Sequence, residues 1–588
     1  MNGVKKLNSE STELPDCVIS YIFSKLSLKN LVKTSALSKQ WYHEWGLRKD
    51  LTFNLHNMFD YNTLPELPIT RPLFQQLQSQ FATRLDYFMQ KYPGDMISSI
   101  RVKFPLGVDH TYAIDGLIHK GVLKGANRIE LLFSYKTDLK IQPYKFLFPF
   151  LSGTNSVTYL HLQNCHIATS MKFSGLKNLK TLVLTLVPVE KNMLRHLCFN
   201  CIHLENFTLN QCIFLSDLRI RSTTLLHLNI DCGRTITKAT MARKIDIIAS
   251  NLLSIEYSSK CIFPHRLHKL NINSHTLSQF NYRCCQISNL VKFSRLKNVT
   301  TIVLDGLFEH IRSDVVTHLF SKCLQLEEVT FKKCRLSCEL KIISAKLRHL
   351  NIIDCRGREH DSFKIDIDAL NLSSFEYRGY TSPIISVEAP KLLKVFWDGG
   401  FNKIDVYNFG TIAKLHHIEN LTINSYLSLI FRFTKEYLGQ YRNLIQLKLF
   451  IDGEYYPNKD YFGILDIAMA SPHLQKLSLT IKNRHTKISH MVESHRQRRE
   501  YVRFFHNGLK YVELHGCVCS IKVIELASHL LRSATLLRQI TFSSRHNYYI
   551  GAGAWTNNGS NGCCWFERNL IHEHLKDEVN EQCRLVIL

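Results

Sequence analysis

The sequence predicts an α/β repeat solenoid, with parallel strands on one face and helices or irregular loops on the other, preceded by a small three-helix unit. Three observations lead to this fold class. A short phrase of alternating apolar residues recurs through most of the chain, and a block of about 120 residues occurs twice. In addition, a segment near the amino terminus carries apolar residues at helical spacing.

Length and composition indicate a folded chain of more than one globular core. The chain has 588 residues, well above the ~250 to 300 at which a single core stops growing, so it is multidomain or a repeat array. Hydrophobic residues make up 45% and charged residues 21%, which excludes disorder for most of the chain.

The recurring phrase is a leucine, two residues, an apolar residue, one residue and another apolar residue, often followed after two positions by cysteine. Copies are VTYLHLQNC at Val157, LENFTLNQC at Leu204, LEEVTFKKC at Leu326, LRHLNIIDC at Leu347 and LKYVELHGC at Leu509. Alternation sends successive side chains to opposite faces of a strand, and one strand cannot bury its apolar face alone. Stacked parallel strands can bury it together.

This packing makes two sets of residues candidates for burial. The alternating apolar positions should form a continuous interior, at Leu160, Leu162, Phe207, Leu209, Val329, Phe331, Leu350 and Ile352. The cysteines at strand ends should be small buried fillers where the chain turns, at Cys165, Cys212, Cys232, Cys334, Cys355 and Cys517.

A longer duplication lies above the short repeat. FSGLKNLKTLVL at Phe173 matches FSRLKNVTTIVL at Phe293, 120 residues later, and LENFTLNQC at Leu204 matches LEEVTFKKC at Leu326, 122 residues later. The duplicated blocks cover 173–282 and 293–400. A modular stack tolerates such a duplication because each unit contacts mainly its neighbours.

The segment from Glu13 to Trp45 reads as three short helices. Pro15 suits the first turn of a helix that carries Val18, Ile19, Ile22, Phe23 and Leu26 on one face; Ser27 can cap a second helix; and Gly46 can end a third. About 35 residues are too few for a domain without an external partner, below the ~40 usually needed. The unit therefore either covers the first repeat or docks on another protein, and the pattern alone favours neither.

The segment from Phe504 to Phe542 predicts strand, turn, helix and strand, with Ile521, Ile524, Ala527 and Leu531 on one helical stripe. Beyond it, Gly551 to Gly562 predicts a flexible loop, because the glycine-rich GAGAWTNNGSNG lacks the lysine and the strand-to-helix context of a phosphate loop. The basic run from Lys482 to Arg503 predicts a solvated insertion, with a nuclear-import or anion-binding patch as the alternative.

Chemistry-bearing clusters are lacking at the spacings that enzymes and metal sites require. Cys198 and Cys201 form a C-x-x-C without a second pair at zinc-finger spacing, and no histidine or cysteine sits in a nucleophile turn beside an orienting acid. We therefore predict no catalytic residue, no metal and no cofactor.

Three parts of the sequence resemble modules of one family. The repeats from Ile97 to Phe542 resemble the irregular leucine-rich repeats of plant F-box proteins. The segment from Glu13 to Trp45 resembles an F-box, with Leu14-Pro15 at its start and Trp41 in its third helix. The LK-x-V-x-L-x-G opening and LLR-x-A-x-LL-x-x-I close of Phe504 to Phe542 resemble the FBD module of the same family.

The resemblance implies a domain order and a docking surface. The implied domains are a disordered 1–12, an F-box at 13–50, a connecting segment at 51–96, repeats at 97–503, an FBD-like module at 504–543 that finishes the stack, and a tail at 544–588. An F-box docks on a Skp-type adaptor, which links to a cullin and a RING ligase core. The residues that would contact the adaptor are Leu14, Pro15, Val18, Ile19, Ile22, Phe23, Leu26, Leu31, Val32, Leu37 and Trp41.

The resemblance also implies a function: substrate-recognition subunit of a Skp-cullin-F-box ubiquitin ligase, with an unknown protein target held by the repeat face. Target contacts are expected at outward strand positions, of which Phe396 and Phe450 should be exposed aromatics. The expected residues are His161, Asn210, Asp231, Glu256, Lys332, Asn351, Glu376, Arg378, Phe396, Asp398, Lys448 and Phe450.

Two other functions stay open from the sequence. One is a scaffold that acts outside ubiquitination, and the other, raised by the net charge of +25, is a basic nucleic-acid-binding repeat protein. The amino terminus lacks the apolar core of a secretory signal, and no run is long enough for a membrane helix. We expect an intracellular protein of nucleus or cytoplasm without a membrane partner.

Overall fold

The structure is a computed structural model, and it divides into two compact units, Met1–Thr276 (unit 1) and Leu277–Leu588 (unit 2). The residues that it describes are 15–34, 45–59, 70–133, 141–151, 155–167, 176–233, 244–259, 269–285, 295–307, 311, 313–357, 363–379, 383–398, 417–426, 442–453, 461–483, 504–518, 520–551, 553–558 and 568–588.

Unit 1 combines six α-helices with short strands among its described residues. The helices are α1 (Asp16–Lys25), α2 (Leu28–Thr34), α3 (Leu55–Met58), α4 (Arg71–Lys91), α5 (Thr111–Leu123) and α6 (Lys191–Asn200). The strands are β1 (Asp50–Asn54), β2 (Ser99–Lys103), β3 (Arg128–Leu132), β4 (Tyr144–Phe146), β5 (Tyr159–Gln163), β6 (Cys165–Ile167), β7 (Thr181–Thr185), β8 (Pro188–Val189), β9 (Asn206–Asn210), β10 (Ile213–Phe214), β11 (Leu218–Ser222), β12 (His227–Asp231), β13 (Lys244–Ala249), β14 (Ser254–Ser258) and β15 (Lys269–Asn273).

The main sheet of unit 1 is parallel throughout, in the order β1-β2-β3-β5-β7-β9-β12-β14. Helices and short outer ladders return the chain between its strands; the ladders are β4 with β6, β8 with β10, and β11 with β13 and β15. Within the segment 51–96, expected to connect and to pack on the first repeats, residues 51–54 belong to β1 of this sheet, and α3 and α4 follow. Asp50 of β1 lies beside Ser99 of β2, so the repeat sheet starts about one repeat earlier than the leucine pattern indicates.

Unit 2 has the same plan with a longer sheet. Its described helices are α7 (Ser313–Lys322), α8 (Gly463–Met469), α9 (Ile521–Ser533) and α10 (Arg568–Leu575). Its described strands are β16 (Gln279–Arg283), β17 (Thr301–Asp305), β18 (Glu328–Lys332), β19 (Glu339–Ile343), β20 (His349–Cys355), β21 (Lys364–Asp368), β22 (Ser374–Gly379), β23 (Ile384–Glu388), β24 (Lys394–Asp398), β25 (Asn420–Tyr426), β26 (Gln446–Gly453), β27 (Lys476–Asn483), β28 (Tyr511–Gly516), β29 (Gln539–Ser543), β30 (His546–Gly551), β31 (Ala554–Asn558) and β32 (Arg584–Ile587).

The main sheet of unit 2 runs β16-β17-β18-β20-β22-β24-β25-β26-β27-β28-β29-β32, again parallel. The FBD-like segment forms strand, helix and strand as its pattern predicts, in β28, α9 and β29. It does not finish the stack, however, because β32 pairs with β29. The segment expected to be a tail at 544–588 therefore supplies the next strand.

The predicted interior is confirmed. All eight apolar residues named from the alternation are no more than 1% exposed, from Leu160 in unit 1 to Ile352 in unit 2. The side chains between them point to the other side of each sheet, which we call the open face. The opposite face, which carries these buried apolar residues, is called the inner face.

The duplicated blocks fold alike. β7, α6 and β9 of unit 1 match β17, α7 and β18 of unit 2 in type and order. The offset is 120 residues from Thr181 to Thr301 and 122 residues from Asn206 to Glu328, equal to the offsets of the sequence repeat. The block was therefore duplicated with its element order intact.

A tight turn ends several strands of the main sheets. Asn164, Gln211, Lys333 and Asp354 adopt positive φ angles of 51 to 53° and each directly precedes a cysteine. The buried thiol then donates to a backbone carbonyl oxygen, as Cys212 Sγ does to Leu184 O at 3.3 Å. All six strand-end cysteines are buried, which confirms their predicted role as fillers at the turn.

None of the helices in the described ranges combines the length and the apolar character that crossing a bilayer demands.

Burial of the strand-end thiols should protect them from alkylation. Burial raises the pKa of Cys212 to about 12 against opposing backbone hydrogen bonds, whereas Cys17 is exposed on α1. We expect iodoacetamide at mildly alkaline pH to label Cys17 in the folded protein and Cys212 only after denaturation, as read by mass spectrometry. Labelling of both at one rate would contradict the buried turn.

The same pKa shift makes stability depend on pH. An unfolded thiol ionises near ~8.5, so above that pH the unfolded chain binds fewer protons than a fold that keeps Cys212 protonated up to about 12. This contribution is fully present below the unfolded pKa and is lost as pH rises towards the folded one. Melting temperatures measured across this range should fall as the pH rises. The fall, counted from each protein's own melting temperature at neutral pH, should be smaller for Cys212→Ala than for the wild type.

Candidate protein-binding surfaces

The opening helices cover the first strand of unit 1. Phe23, Leu28 and Leu31 are 0% exposed, and α2 packs against β1 and α3. Arg48 Nη1 donates to the carbonyl oxygens of Phe23 at 3.3 Å and Leu26 at 2.5 Å, which fixes the end of α1. The covering role that the pattern left open is thus present. Phe23 and Leu31, predicted as adaptor contacts, are corrected to core residues of this chain.

Another side of α1 faces solvent. Pro15 is exposed, Val18 is 39% exposed and Tyr21 is 64% exposed, while Ile22 and Leu26 are half-buried. Apolar side chains of this size on one short helix form a surface that a partner can cover. Val32 on α2 is half-buried, and Ile19 lies within α1; the other predicted contacts, Leu14, Leu37 and Trp41, lie outside the described residues.

One predicted detail of the opening unit, the cap of α2, is confirmed, and the structure adds the burial of Trp45. Ser27 caps α2, since its Oγ accepts from the backbone N–H of Asn30 at 3.3 Å. Trp45 is buried in a short 3-10 turn, where its ring contacts Phe88 and Tyr92 of the α4 region edge to face at 5.2 and 5.5 Å. The predicted third helix falls largely outside the described residues.

Target residues predicted in unit 1 are spread along its open face. His161 Nε2 lies 3.1 Å from Thr185 Oγ1, and burial lowers the pKa of His161 although Glu130 opposes the shift. Asn210 and Asp231 are neighbours in register, and Asp231 accepts from a turn N–H. Glu256 is exposed on β14 and accepts from Asn229 Nδ2 at 3.0 Å. These side chains mostly hold the face together rather than converge on one site.

A charged cluster beside His161 escaped sequence analysis. Arg101 pairs with both carboxylate oxygens of Glu130 at 2.8 Å, and Arg128 Nε lies 2.5 Å from Oε1. Burial raises the pKa of Glu130, but the hydrogen bonds and charges of the two arginines outweigh it, and the pKa is lowered. Arg128 also stacks 3.6 Å from the Tyr159 ring centroid. The cluster is internally satisfied and is therefore structural.

Unit 2 brings seven predicted target residues together. On its open face, one row of registered neighbours crosses β20, β22, β24, β25 and β26, and a second row lies two residues further along the last four of these strands. The first row is Asn351, Glu376, Phe396, Thr422 and Lys448; the second is Arg378, Asp398, Asn424 and Phe450. Lys332 is half-buried on β18, to one side of them.

The hairpin of β30 and β31 lies on this part of the open face. The Tyr549 ring stacks on Phe396 with centroids 4.0 Å apart, and Tyr549 Oη donates to Glu376 Oε2 at 2.5 Å. Arg378 Nη1 donates to the carbonyl oxygen of Tyr549 at 3.1 Å. Burial, reinforced by the Glu376 carboxylate, raises the pKa of Tyr549, so its hydroxyl remains a donor. One residue of the hairpin is thus held by three residues of the face.

Trp555 makes the second contact of the hairpin. Its ring stacks on Phe450 with centroids 5.1 Å apart and lies 4.8 Å from the Tyr549 ring. Lys448 Nζ lies 5.4 Å from the Trp555 ring centroid. The turn also fits closely, because a Cβ on Gly551, whose φ is +104°, would come within 2.9 Å of Ile353 Cδ1.

These contacts correct several expectations. Phe450 is only 5% exposed and Phe396 half-buried, so neither is the exposed aromatic that the strand pattern indicated. Glu376 and Asn351 are likewise buried, the former beneath Tyr549. The segment from Gly551 to Gly562 was predicted to be a flexible loop, but Gly551 ends β30 and residues 554–558 form β31, so that prediction is wrong there. Residues 552 and 559–562 lie outside the described residues.

A cleft of about 460 Å³ runs along the first row beside the hairpin. Its floor extends from Glu328 on β18 to Lys448 on β26, and Tyr549, Gly553 and Trp555 form a wall. The sequence did carry a signal for this wall, since HNYYI and AWTNN flank a glycine-containing turn as the strands of a hairpin do.

Comparison with known proteins places these surfaces in a family. The model of the At1g61320/AtMIF1 LRR domain matches residues 94–273 and 256–579, and the F-box domain model matches residues 11–49. The F-box match includes α1 and α2, and the repeat match includes the cleft and the hairpin.

Two curated relatives come from Arabidopsis thaliana. "F-box protein At1g80960" is 25% identical over 34% of this chain and 40% of its own length, and "Putative FBD-associated F-box protein At1g61330" is 28% identical over 36% and 41%. The chain thus spans about two fifths of the length of the relatives it matches. A solved circular leucine-rich-repeat protein, CroV588, aligns at 12% identity over 79% of this chain and 72% of its own, with a TM-score of 0.29.

The contacts of Tyr549 predict how the hairpin is held. Tyr549→Phe keeps the ring on Phe396 but removes the donor to the Glu376 carboxylate, so local opening of the hairpin should become easier by about 1 to 3 kcal/mol. Tyr549→Ala should open it further, because the ring contact is lost too. Hydrogen exchange of the 546–558 amides measures the opening.

Tyr112→Phe, at an exposed tyrosine of α5, is the matched control and should leave that exchange unchanged. Equal protection of the hairpin in the wild type and both Tyr549 variants would show that these contacts do not hold it.

Proposed function

The chain belongs to the plant F-box family with the At1g61320/AtMIF1 leucine-rich-repeat domain, and on that premise we propose that it is the substrate-recognition subunit of a Skp-cullin-F-box ubiquitin ligase. The F-box implies binding of a Skp-type adaptor. We propose further that the adaptor connects the chain to a cullin and RING core, inside the cell, and that the repeat sheet holds a target protein.

The two-sided character of α1 is the observation that carries the proposal. The side with Phe23 anchors the helix to the repeats, while Pro15, Val18 and Tyr21 remain exposed. A helix that needed only to cover the first strand could carry polar residues on that outer side. An adaptor that covers the outer side would be joined to the repeat sheet through packed core residues rather than through a linker.

The open face of unit 2 supports the target-binding part of the proposal. Polar, charged and aromatic side chains alternate along its rows while the inner face is uniformly apolar. Function on repeat proteins usually sits on such a variable face, because the repeats beneath can keep their packing. The cleft beside the hairpin is the concave feature of this face.

The mechanism that fits is proximity. With an adaptor on α1 and a target on the sheet, a target lysine would be presented to a ubiquitin-conjugating enzyme at high effective concentration. The chain itself need not supply a nucleophile. Burial raises the pKa of Cys198 to about 11 and of Cys201 to about 12, which disfavours the reactive thiolate at the C-x-x-C pair.

The proposal predicts that adaptor binding can be lost without unfolding. Val18→Glu places a charge in the exposed apolar surface of α1, where it costs little in the free chain but would be buried on docking. We expect co-purification with a Skp-type adaptor to fall at least about tenfold, with an unchanged melting temperature. Val108→Glu, at a similarly exposed valine of unit 1, is the control and should bind normally.

Phe23→Ala separates the structural role of α1 from docking. It removes a fully buried ring, so it should lower the free energy of unfolding by about 3 to 5 kcal/mol, measured by denaturant titration.

Full adaptor binding by Val18→Glu would contradict the proposed docking surface. If the chain binds the adaptor but no co-purifying protein receives ubiquitin, the chain is a scaffold and not the recognition subunit of a ligase.

A further inference from the structure

The cleft on the open face of unit 2 is long and narrow. Its floor crosses six neighbouring strands, β18, β20, β22, β24, β25 and β26, which at ~4.8 Å between strands is about 24 Å. A volume of about 460 Å³ spread over that length leaves a channel rather than a rounded pocket. An extended peptide of about seven residues, at ~3.4 Å per residue, has this length.

The floor offers hydrogen-bonding groups that have no hydrogen-bond partner within the described part of the chain. Ser374, Asn420, Thr422 and Gln446 line the cleft on successive or alternate strands. Among the described residues none of these four side chains makes a hydrogen bond, in contrast to Asn351, whose Nδ2 donates to Thr330 Oγ1 at 3.0 Å. Neutral donors and acceptors in a row can pair with the N–H and C=O groups of a peptide backbone.

The two ends of the cleft carry opposite charges. Lys448 is half-buried at one end, where its Nζ lies 5.4 Å from the Trp555 ring centroid, and within the described part of the chain it forms no salt bridge. The neighbouring Lys476, in contrast, pairs with Glu513 at 2.6 Å. Burial and the charge of Lys476 lower the pKa of Lys448, although the Glu513 carboxylate opposes the shift. At the other end, Glu328 has no cationic partner among the described residues.

The docked hairpin shows that this face can bind a protein segment through the segment's aromatic rings and backbone carbonyl groups. Phe396 receives the ring of Tyr549, and Arg378 binds its carbonyl oxygen. The hairpin leaves the floor between Ser374 and Gln446 open while it forms one wall. A second segment can therefore lie in the cleft with the hairpin in place.

We propose that the cleft binds an extended peptide segment of about seven residues, with an acidic residue over Lys448 and a basic residue over Glu328. The segment crosses the strands and pairs its backbone with the neutral side chains of the floor. The inference rests on the proposed function only in assigning this segment to a ubiquitination target.

Selection of displayed peptides tests the charge assignment. The probe is a phage library of random ten-residue peptides, selected on the full chain alone. We expect selected peptides to pair an acidic with a basic residue about six or seven positions apart, and Lys448→Glu to weaken their binding about tenfold or more. Reselection on Lys448→Glu should replace the acidic residue by a basic one, and Glu328→Lys should do the reverse at the other position.

Two control variants separate effects on folding and on surface charge from effects on the cleft. Lys341→Glu reverses an exposed lysine on the outer strand β19 and should not alter selection. Lys448→Gln, checked by its melting temperature, should lose the acidic preference without acquiring a basic one.

Each part of the argument can fail separately. Selected peptides that bind Lys448→Glu and Glu328→Lys as tightly as the wild type would overturn the cleft assignment, as would the recovery of no binding peptides. If the charge preferences switch as expected but the chain binds no adaptor, the proposed function fails while the peptide site stands. If Lys448→Glu abolishes peptide binding but leaves ubiquitination of a target intact, the target uses another surface, and the assignment of the peptide to a ubiquitination target is overturned.

Discussion

Parallel strands in register, with two inward apolar side chains on each, are the constraint on which the rest of the structure depends. Leu350 and Ile352 of β20 lie beside Phe375 and Tyr377 of β22, and all four are buried. Because the side-chain period of a strand is two, fixing the inner pair also fixes which residues reach the open face. A shift of one residue would expose the core of that repeat, so burial on one face locks the alignment of the other.

That alignment separates stability from recognition. Glu376, Phe396, Thr422 and Lys448 stand in one row because their inner neighbours pack, not because they interact with one another across the whole row. Substitutions along the row therefore leave the inner face unchanged. The same separation holds on α1, where Phe23 packs against the repeats and Val18 faces outwards. In both places, one side of an element provides the fold and the other side is available to a partner.

Much of the fold could be predicted because repeats make local sequence informative. The alternation located Leu160 and Val329 in the interior, the position after each strand located Cys212 and Cys334 in tight turns, and the duplication implied matching elements. The first strand was missed because DLTFN at Asp50 lacks the leading leucine of the phrase, although Leu51 and Phe53 alternate and are buried. The third opening helix lies outside the described residues.

The docking of the hairpin on the open face could not be predicted, because the residues that meet there are far apart in the chain. Tyr549 and Glu376 are 173 positions apart, and no repeat rule relates a hairpin after the last predicted module to a strand in the middle of the stack. Exposure of Phe396 and Phe450 was inferred from strand alternation, which identifies the face but not what covers it.

An isolated two-stranded hairpin is marginal in water, so β30 and β31 depend on the open face for their stability. The ring of Tyr549 on Phe396 and the ring of Trp555 on Phe450 supply that support, and both aromatic residues of the hairpin also line the cleft. Occupation of the cleft and docking of the hairpin are therefore thermodynamically linked: a peptide that contacts Tyr549 and Trp555 stabilises the docked hairpin, and a docked hairpin tightens the peptide by the same factor. On the proposed function, the carboxyl-terminal segment is thus part of the recognition surface, although its sequence position places it after the repeats.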